Sequence, residues 1–137
     1  MKRILFLTIL LTLTKCYAGR LYNETYYQNL WCNEQKGITE YKLSDYTRVD
    51  CLTETHAVEF DFAKKWAEAV GQSIHYGMMT DKTPAIVLII EQSKDFIYYE
   101  RLKPICAKLC IELWYMKSPN YKKTPLTIKS GVNRIIE

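Results

Sequence analysis

The residues in this chain best placed to do chemistry are carboxylates lying inside apolar, strand-like runs. Asp50 sits in "RVDCLT", and Glu59 and Asp61 sit two apart in "AVEFDF". Alternation along a strand puts Glu59 and Asp61 on one face and Val58, Phe60 and Phe62 on the other. An unpaired charge in such surroundings costs several kcal/mol, so these acids need a local network or a cation. Hard oxygen donors in a small cluster suit Mg²⁺ or Mn²⁺, which bind through one or two carboxylates and keep several waters. Cationic and polar groups follow at once in "AKKWAEAVGQSIHY". At about 100° per residue, Lys65, Gln72 and Tyr76 fall within roughly 40° of one another on the helix, and Lys64 points about 100° away. Trp66, Ala67, Val70 and Ile74 form a separate apolar sector, expected to face the sheet.

Other candidate groups are less organised. His56 and His75 share no motif with a nucleophile or a further metal ligand, so both are read as surface or supporting residues. "QKG" and "GQS" lack the glycine density of a phosphate-cradling loop, and no serine sits in a nucleophile elbow. The spacing in "CAKLC" is not one that zinc sites use. The eleven tyrosines are assigned to packing.

The elements that must position the acids follow from period and punctuation. Asn23 caps a helix over "ETYYQNLWCNEQK", with Tyr27, Leu30 and Trp31 at helical spacing and Gly37 as its stop. "ITEYKL", "RVDCLT" and "AVEFDF" read as a three-strand meander joined by "SDYT" and "ETH". A helix then runs from Ala63 to about Tyr76, and "TDKTP" breaks it. "AIVLIIE" is an apolar run expected of a strand buried on both faces. "DFIYYERLKPICAKL" is a third helix, interrupted or restarted at Pro104. "IELWYM" is the last strand. The order predicts an αβββαβ sandwich around a mixed central sheet.

With an acid on the second strand, an acid on the third and "QxxxY" on the following helix, residues 24–116 resemble the PD-(D/E)xK nuclease superfamily. The resemblance is closest to its exonuclease-like branch. It implies a restriction-endonuclease-like fold and metal-dependent phosphodiester hydrolysis on nucleic acid. Asp50 and Glu59 would then be metal ligands, with Asp61 an extra ligand or a supporting acid. Gln72 and Tyr76 would be the supporting pair. Asp61 stands where the family's E-x-K lysine belongs, so Lys65 is assigned as a relocated catalytic lysine, with Lys64 the alternative. The family's first-helix acid is Glu24 or Glu34. The competing expectation is a catalytically inactive chain of the same fold, working as a binding or inhibitory module.

Residues 1–18 read as a signal peptide: Lys2 and Arg3, then the apolar "ILFLTILLTL", then "CYA" with cleavage after Ala18. The apolar run is too short to span a bilayer comfortably. The expectation is a periplasmic or secreted protein with no membrane span in the mature chain. Lys2, Arg3 and Lys15 supply three of the 19 basic residues against 15 acidic ones, so the chain beyond the leader is nearly neutral. Residues 19–117 form the expected domain, and residues 118–137 a basic polar tail. The domain's four cysteines, Cys32, Cys51, Cys106 and Cys110, suggest disulfides in an exported chain, with three pairings open.

Overall fold

Asn23 opens the first helix as expected, its side chain accepting a hydrogen bond from the Tyr26 amide at 3.1 Å. The computed structural model describes Arg20 and residues 22–122; the predicted leader and the chain beyond residue 122 lie outside the described residues. Helix α1 spans Glu24–Glu34, followed by strands β1 (Ile38–Lys42), β2 (Arg48–Leu52) and β3 (His56–Phe62). A 3-10 turn over Ala63–Lys65 leads into α2 (Trp66–Thr80), then β4 (Thr83–Gln92). A second such turn, Ser93–Asp95, precedes α3 (Phe96–Leu109) and β5 (Glu112–Lys122).

The five strands lie in chain order in one sheet. β1–β2–β3 is an antiparallel meander, and β4 and β5 add in parallel. This is the predicted α/β class with a mixed sheet. Ala85 to Ile90 of β4 have no exposed surface, because helices cover both faces of the sheet there. On one side Val58, Phe60 and Phe62 pack with Tyr27 and Cys32 of α1. On the other, Ile86, Leu88 and Ile90 pack with Leu102 and Cys106 of α3. Among the described residues no helix is long and apolar enough to cross a membrane.

Several elements differ from the expectation, each for a physical reason. The face of α2 against the sheet is Ala69, Ser73, Tyr76 and Gly77, and Ala67 is exposed. Small side chains at every fourth position let the helix backbone come close: a Cβ on Gly77 would sit 3.0 Å from Pro84 Cβ. Trp66, Val70 and Ile74 do pack, partly buried, against the core cluster that Ile86, Leu88 and Ile90 of β4 form with α3. α2 also runs past Tyr76 to Thr80 and ends on Asp81 in the left-handed conformation. α3 continues through Pro104 without interruption. β5 continues to Lys122, so the first five residues assigned to the tail belong to the sheet.

Among the described residues one disulfide closes, between Cys32 of α1 and Cys51 of β2; Cys106 is free and buried, Cys110 free and exposed. Gly37 adjoins that bridge. Its requirement is space rather than backbone freedom: its φ is not positive, yet a Cβ there would lie 2.6 and 2.7 Å from the two sulfurs.

Candidate functional site

β2 and β3 separate where Asp50 faces Glu59. Past the pairs Cys51–Val58 and Leu52–Ala57, the ladder gives way to a side chain: Asp50 Oδ2 accepts the Phe60 amide at 2.7 Å. Glu59 and Asp61 point away from the α1-side apolar cluster and are 3% and 2% exposed. Asp61 accepts the Phe62 amide at 2.9 Å and stands 3.6 Å from the Lys65 ammonium. Lys65 reaches it because the 3-10 turn places the lysine four residues on, at the mouth of α2. Its ammonium also lies 3.9 Å from Glu68.

The first helix adds two groups. Glu24, in its first turn, lies beside Asp61 and Asp50, whose charges raise its carboxyl. Gln28, one turn later and 2% exposed, donates to Glu24 Oε1 at 3.4 Å and stands next to Asp50, whose carboxyl it lowers. A polar cluster therefore gathers Lys65, Asp61, Glu24, Gln28, Asp50 and Glu59 from four segments of the fold. Tyr76 closes one side of it, buried against Val49 and Ala57 and hydrogen-bonded to the exposed Gln72.

Four carboxyls thus share a site with one ammonium, and their proton affinities show the strain. Burial, and then the charge of Asp50, hold the Glu59 carboxyl far above its usual range. Burial also raises Asp50, offset partly by the Phe60 amide and by a hydrogen bond from Glu59. Glu59 is therefore the protonated partner and Asp50 the acceptor. Glu24 is pushed up to about 7 by burial and by Asp61 and Asp50. Asp61 is raised by burial, with Lys65 opposing. Asp61 in turn holds the Lys65 ammonium above its ordinary range. Burial likewise raises the Tyr76 phenol.

Besides His56 Nε2, which lies outside this site and 3.2 Å from Glu112 Oε1, two buried side-chain atoms among the described residues have no hydrogen-bond partner, Glu59 Oε2 and Gln28 Oε1, both acceptors. Each calls for a proton donor or a cation. The donor chemistry, carboxylates from adjacent strands, suits a hard divalent ion. Among the described residues, however, no three acidic, histidine or cysteine side chains stand as a ready-made ligand set. Asp50 and Asp61 each commit one oxygen to a backbone amide, leaving the other.

Asp50, Glu59, Asp61 and Lys65 of the sequence prediction do come together. Gln72 and Tyr76 stand beside them, with Tyr76 also a core residue. Of the alternatives left open, Glu24 lies in the cluster, while Glu34 is exposed at the far end of α1, about 15 Å along the helix. Lys65 makes the contact with Asp61, and Lys64 is exposed. Gln28 was not anticipated. Its signal was the i, i+4 stripe of Glu24, Gln28 and Cys32, which puts a polar residue on the buried face of α1. His75 lies outside the cluster, 2.8 Å from Asp45 in the β1–β2 turn.

Comparison with known proteins returns no match: no family model fits the chain, and no curated sequence or solved structure matches it.

Proposed function

We propose that the protein is an exported, metal-dependent phosphodiesterase of restriction-endonuclease-like fold that acts on nucleic acid. The observation that carries this reading is the buried, donorless oxygen of Glu59, set among Asp50, Asp61, Glu24 and Lys65. The order of elements, a meander followed by a strand–helix–strand connection to a parallel β4, supports the fold assignment. The Cys32–Cys51 bridge supports an oxidising compartment.

Asp50 and Glu59 would hold Mg²⁺ or Mn²⁺, with Asp61 a third ligand or a supporting acid. The ion, once bound, acidifies a water and neutralises phosphate charge. Lys65 supplies a donor and positive charge beside the attacked phosphate, and Asp61 fixes where that ammonium sits. Gln28 and the Phe60 amide orient Asp50. Tyr76, held by Gln72, walls the acids from solvent. Displacing the shared Asp50–Glu59 proton is the entry step, so activity rises as pH rises.

The test incubates the oxidised chain from residue 19 with single- and double-stranded DNA and with RNA, in Mg²⁺, Mn²⁺ or EDTA. Cleavage that needs metal, and that falls at least about 100-fold in Asp50→Ala and in Lys65→Ala, is expected. Full activity in either variant overturns the assignment. A second reading has its own support: Lys65 is already engaged by Asp61 and Glu68, and the acids satisfy one another through protons. Under it the chain is an inactive nuclease-fold binding module. No cleavage, with no metal-dependent rise in melting temperature, would favour it.

A further inference from the structure

A second concave site lies on the α1 side of the sheet, between the end of that helix, the β2–β3 turn and the start of β5. It is a cleft of about 490 Å³, within the size range of small-molecule sites. Its floor is aromatic. The indoles of Trp31 and Trp114 pack against each other, ring centroids 5.4 Å apart and planes tilted by 33°, and both line the cleft. His56 meets Trp114 edge-on at 5.3 Å and lines it as well.

The rim is polar and divides into occupied and available groups. Thr53 Oγ1 is used by the turn, accepting the His56 amide at 2.9 Å. Thr55 Oγ1 is held by His56 Nδ1 at 2.7 Å. The Gln35 amide and the Glu54 carboxylate, both exposed beside the cleft, have no side-chain partner among the described residues. Lys82 reaches this turn but donates to the Glu54 backbone carbonyl, leaving the carboxylate open. No lysine or arginine lines the cleft; its one basic group, His56, has Nε2 3.2 Å from the Glu112 carboxylate, and Glu54 adds a negative charge at the rim, which disfavours a phosphate or carboxylate ligand.

We propose that this cleft binds a neutral, hydroxyl-rich ring: a sugar in pyranose form, seated on the Trp31–Trp114 floor. The chemistry matches on both sides of such a ring. Its C–H face lies against the electron-rich face of the indoles. Its hydroxyls, each a donor and an acceptor, meet Glu54 as acceptor and Gln35 as donor and acceptor. A planar anion lacks a counter-charge here, and an aliphatic ligand leaves the rim amide and carboxylate unused. The site is separate from the acid cluster: His56 opens β3, and Glu59, the nearest acid of the cluster on that strand, lies three residues on, about 10 Å along it and on the opposite face. The inference stands whether or not the chain cleaves nucleic acid.

The protein carries its own reporter. Of its three tryptophans two line the cleft, and Trp66 lies on the other side of the sheet. Trp66→Phe in the full chain leaves only the cleft indoles to fluoresce. Titration of that variant with cellobiose, N,N′-diacetylchitobiose and maltose, with choline as a charged comparison, is the experiment. A saturable change in emission with at least one disaccharide is expected. Added Gln35→Ala and Glu54→Ala substitutions should weaken it at least about tenfold. Both positions are exposed, so these variants fold even if Trp114→Ala does not. No saturable response to any of the three sugars, a response to choline alone, or sugar binding indifferent to both rim substitutions overturns the proposal.

Discussion

Replacing Glu59 by glutamine should stabilise the metal-free protein, and by an amount that depends on pH. In the folded chain burial and Asp50 keep the Glu59 proton bound at neutral pH; in the unfolded chain it leaves near the usual 4.5. Above that value the native state binds the extra proton, so stability falls as pH rises. At pH 7.5 the cost is set by the three units between the unfolded value and the assay pH, about 4 kcal/mol at 1.36 per unit. The figure does not depend on how high the folded value lies, only on its exceeding the assay pH. Sharing of charge with Asp50 and local relaxation reduce it to about 2–4 kcal/mol. Glutamine keeps the shape and a donor toward Asp50 but has no proton to lose. Urea unfolding in EDTA, at steps from pH 4.5 to 7.5, checks this. Wild type and Glu59→Gln should be near-equal at the acid end and diverge above it, the variant becoming the more stable. Parallel profiles would refute the reasoning, because they would mean that Glu59 ionises as freely in the folded chain as in the unfolded one.

Two further outcomes follow from the disulfide region and the free thiols. Gly37→Ala forces a methyl against both sulfurs of the Cys32–Cys51 bridge and should cost about 1–3 kcal/mol, read as a lower urea midpoint. With the bridge intact, a maleimide should label one thiol of Cys106 and Cys110 in the native protein and both in urea. Cys110 is exposed, whereas burial covers Cys106 and pushes its thiol up to about 11; two labels on the native chain would contradict the packing of α3.

The acids were legible in the sequence because a strand with carboxylates between Val, Phe and Ala breaks the usual pattern, and the break marks the positions. Lys65 was legible from helical spacing even though its own turn is 3-10. The choice between Glu24 and Glu34 was not, since it depends on which end of α1 lies over β3, a tertiary matter. The buried face of α2 was legible in part: hydrophobicity pointed to Trp66, Val70 and Ile74, which pack on the core, while closeness of approach selected Ala69, Ser73 and Gly77 as the most buried positions and left Ala67 exposed. Gln28 and the Cys32–Cys51 pairing share one cause: both express how α1 docks on β2, which no local pattern encodes. β5 outlasts its apolar residues because pairing with β4 carries polar residues into the sheet as far as Lys122.

That docking has a consequence for motion. α1 lies over one face of the sheet with much of its own surface in water, and peripheral elements of that kind open locally at low cost. If it swung out, Glu24 and Gln28 would leave with it, water would reach Glu59, and the perturbed proton affinities of the acids would relax toward ordinary values. Cys51 directly follows Asp50, and Cys32 lies one turn beyond Gln28, so the covalent bond spans the very gap that would widen. The bridge is therefore expected to confine fraying of α1 to its first turn, around Glu24, and to keep the buried carboxyl of Glu59 covered through fluctuations that would otherwise expose it.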